Sequence, residues 1–394
     1  MVNRRDTRNP EGGGSEVYLE RVAAGLVQRG HQVTIFCGAH NRAGPFEEID
    51  GVRFVRAGSK LGVHREAWRL LHHGRLGTPE VIVDVQNGIP FFSPLATRGI
   101  PIVVLVHHLH REQWPIVYGP VRSRIGWLLE SRVAPKLYRK YAYIAVSHGT
   151  KAELAGVGVT RERVSVIHNG TDELPREYRA GPATADLREP APRILVLGRL
   201  VPHKQTEHVL WAAAQLRRDA PGLRVSVVGD GWWAGELRSA ATSLGVTDIV
   251  DFAGYACEAD KHRELSRAWV LALPSLKEGW GIAVMEAAQH GVPAVGYRGA
   301  GGVAESIKHL HTGLLADRGR EEFLANLRLL LSNHDLRMRL GEAARIHASG
   351  FSWEETTTKF ERVLHAATGT VVLPQSRESK LTIAATEPLR RRSG

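Results

Sequence analysis

The chain carries two successive series of short apolar runs that do not alternate with polar residues, and this repeated pattern restricts the fold more than any other feature. A strand with one wet face alternates. A run such as PIVVLV (Pro101 to Val106) instead reads as a strand buried on both faces, the place strands occupy in a parallel sheet with helices on either side. The first series is HQVTIF, VRFVR, EVIVDV, PIVVLV, YIAVS and VSVIHNG; the second is RILVLGRL, RVSVVGDG, DIVDFAGY, WVLALPS and PAVGY. Amphipathic segments lie between them. Ser15 to Arg29 places Tyr18, Val22 and Leu26 at four-residue spacing, with Ser15 as cap and Gly30 as stop. Further helices are expected over 207–218, 236–244, 259–268, 282–290, 321–331, 335–348 and 353–366. The fold class is α/β, with two Rossmann-like doubly wound parallel-sheet domains facing a cleft.

At 394 residues the chain exceeds what one core usually holds. The Pro- and charge-rich stretch 173–192 reads as a linker between an N-terminal domain (1–182) and a second domain (183–350). Residues 370–394 lack periodicity and read as a disordered tail. The first series is short of one strand: Gly12, Gly13 and Gly14 need a strand before them, yet little apolar sequence precedes them. The first strand is expected to be largely absent, the chain as given starting late and leaving Met1 to Asn3 as a stub.

Cys37 and Cys257 are the only cysteines and fall in different domains, which excludes a disulfide framework or a cysteine-rich metal site. No run of 18 apolar residues occurs, and MVNRRDTRNPEGGG holds no signal sequence, so a cytoplasmic protein is expected and the sequon at Asn169 carries no weight. Of the net charge of +11, about +8 lies in residues 1–185 and almost none in 186–372.

The chemistry concentrates in the electrically neutral half. Arg199 and Lys204 stand in the loop after RILVLG, close enough to serve one pyrophosphate; as a sugar bond breaks, the departing diphosphate gains charge that fixed cations stabilise. With such side chains in place no divalent metal and no cofactor is expected. Glu278 and Glu286 bracket the turn Gly279-Trp280-Gly281-Ile282, which opens a helix whose N-terminal amides favour an anion. One carboxylate can meet sugar hydroxyls while the other meets a ribose diol. The loops GDGWW, with Gly229, GYACE, with Tyr255, and GAGG should share the same rim. Across the cleft, Gly13 and Gly14 permit close backbone approach to a phosphate or sugar. His107 follows a strand end and can contact the sugar or the acceptor. His107 and His110 have H-x-x-H spacing, but no third metal ligand accompanies them.

These residues resemble the retaining nucleotide-sugar glycosyltransferases of family 4, the group 1 type, with GT-B architecture. The likeness rests on PEGGGSE, VHH, VSHGT, IHNGTD, GRLVPHK, VVGDG, FAGY, PSLKEGWGIAVMEA and GVPAVGYRGAGGVAESI, from Pro10 to about Ile307, and above all on the R-x4-K and E-x7-E spacings. It implies a nucleoside-diphosphate sugar as donor and a hydroxyl acceptor. Arg199 and Lys204 would bind the diphosphate, Glu286 the ribose, and Glu278 would lie near the transferred sugar. Gly281 and Ile282 would offer backbone amides, Gly13 and Gly14 would close on the phosphate, and His107 would contact the sugar. A final helix (351–369) would cross back to the first domain, and the acceptor hydroxyl would attack on the face the diphosphate leaves.

Three other readings compete. A nucleotide-sugar epimerase can share this architecture. A nucleic-acid binder would explain the charge but leaves the paired glutamates idle. Arg122, Arg124, Arg132, Lys136, Arg139 and Lys140, together with Trp114, Ile116, Val117 and Trp127, have the composition of a contact with anionic membrane and would suit a lipid-linked acceptor.

Overall fold

The computed structural model describes residues 1–60, 62–179, 188–317 and 319–369. The tail 370–394 and residues 180–187 of the linker lie outside the described residues. The first sheet contains β1 (Thr34–Cys37), β2 (Phe46–Ile49), β3 (Val52–Arg56), β4 (Ile82–Gln86), β5 (Ile102–Val106), β6 (Ala142–Ala145) and β7 (Val164–Val166). It runs β2-β3-β1 on one side and β4-β5-β6-β7 on the other. Val2 joins the halves: its N–H donates to Val83, its carbonyl accepts from Val85, and Met1 and Asn3 bond Phe36. The stub thus occupies the middle of the sheet, between β1 and β4, and leads into the loop that carries Gly12 to Gly14.

The second sheet contains β8 (Arg193–Leu197), β9 (Arg224–Val228), β10 (Val250–Gly254), β11 (Val270–Leu273), β12 (Ala294–Tyr297) and β13 (Gly313–Ala316), in the order β10-β9-β8-β11-β12-β13. Every pairing in it is parallel. The strand order reverses between β8 and β11, and in such sheets the crevice for ligand opens at that point, beyond the carboxyl ends of the strands.

The first sheet departs from the expected pure parallel arrangement. β2 pairs antiparallel with β3 through a turn at Asp50-Gly51. Its sequence FEEI is polar and stays partly exposed, so no apolar run announces it. Among the described residues the longer helices are α1 (Gly14–Gln28), α2 (Val63–His72), α3 (Pro120–Leu128), α4 (His148–Gly156), α5 (Glu207–Leu216), α6 (Ala234–Ser243), α7 (Glu258–Arg267), α8 (Ile282–Gln289), α9 (Arg320–Ser332), α10 (His334–Ala348) and α11 (Trp353–Thr368). α1 starts one residue before Ser15. Its cap is Gly13, whose N–H donates to Glu16 Oε2 at 2.8 Å, while Ser15 turns its hydroxyl to the same carboxylate.

Trp280, Met285 and Ala288 from α8 and its approach, and Ala344 and Ala348 from α10, share one apolar cluster with Tyr18, Leu19 and Val22 of α1 and with the core strands of the first sheet. α11 completes this junction. Phe360 is fully buried against Tyr18, and Arg29 and His31 both bind Glu361 at 2.7 Å. The last helix therefore belongs by packing to the first domain.

Candidate active site

A cleft of about 890 Å³ lies between the sheets, at the carboxyl ends of both. His107, Arg199, Lys204, Glu278, Gly13, Gly14, Gly229, Tyr255, Gly279, Trp280, Gly281, Ile282 and Glu286 all line it. Of the five loops expected at this rim, GAGG is the exception. It stands behind the cleft, where the Glu278 N–H donates to Ala300 and Gly302 donates to the Glu278 carbonyl.

Lys204 projects from the loop after β8 and forms an ion pair with Glu278, in the loop after β11. Ser275 Oγ donates to the same carboxylate oxygen at 2.7 Å. Burial pushes the Glu278 carboxyl up, but the Lys204 ammonium and the two hydrogen bonds outweigh it and hold the group below its usual range. Gln205, next in the chain, sits in the left-handed region at φ 50°, a conformation that costs a non-glycine residue of order 1–3 kcal/mol and recurs at functional loops. Arg199 lies alongside and donates from Nη1 to the Glu11 carbonyl at 2.9 Å. Burial and the neighbouring Arg5 guanidinium lower its pKa, against the pull of Glu16 and Glu278.

His107 forms the opposite wall. It is buried, its ring meets Tyr18 edge to face at 5.4 Å, and its Nε2 has no hydrogen-bond partner. Burial lowers its pKa to about 4, so the ring is neutral near pH 7. An unpartnered buried nitrogen is costly unless a ligand supplies the missing bond. His110 does not join His107 in a metal set. Its Nδ1 and backbone N–H both turn to Glu130, at 3.1 Å. His108 bonds Gln113 at 3.3 Å.

The glycines act first on domain approach. A Cβ on Gly14 would lie 2.9 Å from Ile282 Cδ1, one on Gly13 3.0 Å from Arg199 Nε, and one on Gly279 2.6 Å from the His107 carbonyl. A side chain at these points would hold the walls apart. Gly229 is confined by packing within its own domain, since a Cβ there would fall on the Gly198 carbonyl. The Trp280 indole is buried against His168 and Phe351 at ring distances of 4.4 and 5.2 Å. Gly281, at φ 92°, reverses the chain into α8.

One residue lining the cleft, and one buried acid that holds His110 beside it, were not legible in the sequence. Lys261, on α7, donates to Glu286 Oε1 at 2.7 Å. Glu130 is fully buried in the π-helical turn Leu129–Val133 and accepts from Trp114 Nε1 at 2.7 Å. Burial raises its pKa to about 8. Neither has a motif; the only available signal was an acid inside an otherwise apolar helical stretch. Trp114 is consequently buried, contrary to its expected place on a membrane-facing surface. The exposed apolar side chains there are Ile116, Val117, Val121, Ile125, Leu128 and Val133. Among the described residues, the two histidine–carboxylate clusters that could hold a metal ion lie outside the cleft lining, apart from these side chains.

Comparison with known proteins agrees with this architecture. Residues 12–173 match the family Glycosyltransferase Family 4, and residues 182–347 match Glycosyl transferases group 1. The chain is 29% identical to a D-inositol 3-phosphate glycosyltransferase of Nocardia farcinica, over 88% of this chain and 83% of the relative. It is 27% identical to a GDP-mannose-dependent alpha-(1-6)-phosphatidylinositol monomannoside mannosyltransferase of Mycobacterium tuberculosis, over 85% and 90%. Its fold is similar to that of sucrose-phosphate synthase from Thermosynechococcus elongatus, with TM-score 0.78 and 17% identity over 93% of this chain and 98% of the other. With two matched halves, each on one sheet of a cleft built from the R-x4-K and E-x7-E loops, the chain belongs to the group 1 glycosyltransferases of GT-B architecture.

Proposed function

We propose that the protein is a retaining hexosyltransferase that moves a sugar from a nucleoside-diphosphate sugar to a hydroxyl acceptor, without a divalent metal. The observation that carries this reading is the Lys204–Glu278 pair at the strand-order reversal, in a cleft that Arg199 and His107 also line. Arg199 and Lys204 meet the diphosphate, Glu286 the ribose diol, and Glu278, the backbone at Gly281 and Ile282, and His107 surround the sugar. The bond from the anomeric carbon to the diphosphate oxygen breaks while the acceptor oxygen bonds to the same face of that carbon. The electron pair leaves on the diphosphate, where the two cations stabilise it, and the acceptor proton passes to a phosphate oxygen. No side chain forms a covalent intermediate, and His107, being neutral, works as a hydrogen-bond partner.

A lipid-linked acceptor at the cytoplasmic face of a membrane completes the proposal. Val121, Ile125 and Leu128 stand on one face of α3, each more than half exposed, among Arg122, Arg124 and Arg132. Exposed apolar side chains amid arginines suit the interface of an anionic bilayer. No described helix is long and apolar enough to cross a membrane. The name of the mannosyltransferase relative, with its phosphatidylinositol-based acceptor, supports the same idea.

The test of the reaction is incubation of the purified protein with UDP-, GDP- and ADP-hexoses and a panel of acceptors, with and without EDTA, reading the product's anomeric configuration by NMR. Transfer with retention, unaffected by EDTA, is the expected outcome. Inversion, a strict metal requirement, or epimerised donor formed without acceptor overturns it.

A further inference from the structure

Glu286, the carboxylate assigned above to the donor ribose, is not free in the cleft. Its Oε1 accepts from Lys261 Nζ at 2.7 Å, and among the described residues it has no other side-chain partner. Lys261 comes from a different element. It stands in the first turn of α7, directly after the loop that carries Tyr255, and its ammonium also meets Glu258 Oε2 at 2.8 Å. Lys261, Glu258 and Glu286 all line the cleft. The lysine side chain is itself mostly shielded, while Glu258 is open to solvent.

The arrangement has a specific consequence. A carboxylate that accepts hydrogen bonds from both hydroxyls of a ribose must present its oxygens at one angle, and a glutamate has three rotatable bonds to disperse it. One oxygen anchored by an ammonium removes that freedom and leaves Oε2 for ligand. The ammonium also lies between the negative charges of Glu258 and Glu286. Burial alone would favour loss of the lysine proton; the two carboxylates reverse this and keep its pKa above the ordinary value.

We propose that Lys261 is a positioning residue for the ribose subsite, holding Glu286 in the orientation that recognises the 2′ and 3′ hydroxyls of the donor nucleotide. This rests on the reading of Glu286 as the ribose ligand. Lys261 acts through Glu286, so its contribution exists only where those hydroxyls are present.

The experiment compares UDP, GDP and ADP with their 2′,3′-dideoxy counterparts by titration calorimetry, using the whole protein and the variants Lys261→Met, Lys261→Arg and Glu286→Gln. The wild type is expected to prefer the ribose form of the nucleotide it binds. Lys261→Met should lose about tenfold in affinity for that form, the size of one charged hydrogen bond, and change dideoxy binding by less than about twofold. Lys261→Arg should recover most of the loss. Undiminished dideoxy affinity also shows that the variant is folded. Equal weakening of both forms, or of neither, overturns the proposal; equal weakening would mean that Lys261 touches phosphate or only supports the fold. If Glu286→Gln keeps the wild-type preference, or if none of the nucleotides binds, the ribose reading itself fails and the proposal with it. If Glu286→Gln erases the preference and Lys261→Met leaves it intact, only the role of Lys261 fails.

Discussion

Glu278 and Lys204 pair across the point where the strand order of the second sheet reverses, joining the loop after β8 to the loop after β11. Two loops about seventy residues apart in the chain therefore meet as one charged unit. Lys204 faces both the carboxylate and the cleft, so it can share its charge with a departing diphosphate without having to be ordered at the moment of reaction.

Replacing Lys204 with Ala is expected to cut kcat by roughly 100- to 1000-fold, the loss typical of one preorganised group that stabilises developing charge. The same variant leaves Glu278 half-buried without its cation. Steady-state kinetics and circular dichroism check the pair of outcomes; a folded variant with full activity would remove Lys204 from the site.

Gly14→Ala should hinder closure of the cleft, because the new Cβ would stand 2.9 Å from Ile282 Cδ1. The obstacle is the end of one side chain, so the second change Ile282→Val should relieve it. Gly279→Ala meets the His107 carbonyl at 2.6 Å, which is backbone and cannot yield, and should be the more severe variant. Small-angle scattering reports the opening, and kcat the consequence.

The pH dependence of stability should separate two buried groups. His107 titrates at about 4 in the folded protein, below its ordinary 6.5, so the unfolded chain binds protons first as pH falls. The stability this group contributes is complete above about pH 6.5 and is lost down to about 4. Glu130 has the opposite sign: held protonated up to about pH 8, it makes the folded state the better proton binder above about 4.5, and stability falls as pH rises through that window. Glu130→Gln should therefore gain on the wild type by up to about 1.4 kcal/mol per pH unit between those values. Denaturant titrations at several pH values measure it; a constant offset would contradict a protonated Glu130.

Phe360→Ala should destabilise the protein by about 3–5 kcal/mol, since this fully buried ring anchors α11 to α1. Thermal unfolding with coincident probes on both domains tests whether the junction melts with the core.

Vesicles containing anionic lipid should sediment the protein at low salt, and Val121→Asp with Ile125→Asp should abolish this while leaving donor binding unchanged. Neither side chain is buried, so the fold should tolerate the pair. Equal sedimentation of the double variant would remove α3 as the contact.

Much of this molecule was already determined by the sequence. Non-alternating runs such as IVVLV read as strands covered on both faces, and the loops that follow such strands gather at one edge, so the sequence already implied that Arg199, Lys204, Glu278 and Glu286 line one cleft. Even the stub at Met1 to Asn3 was legible, because a glycine turn before a helix implies a strand before it. What only the tertiary structure decided has no local signature. β2 is polar, Lys261 reaches Glu286 from a helix 25 residues away, and Glu130 sits among leucines on a helical turn with no motif. Gly13 and Gly14 looked like room for a phosphate or sugar, yet the atoms nearest a Cβ at 13, 14 or 279 belong to the facing domain. Periodicity reports which face of an element is buried; it does not report which distant element buries it, and the pairing of charges across a cleft is a property of that second fact alone.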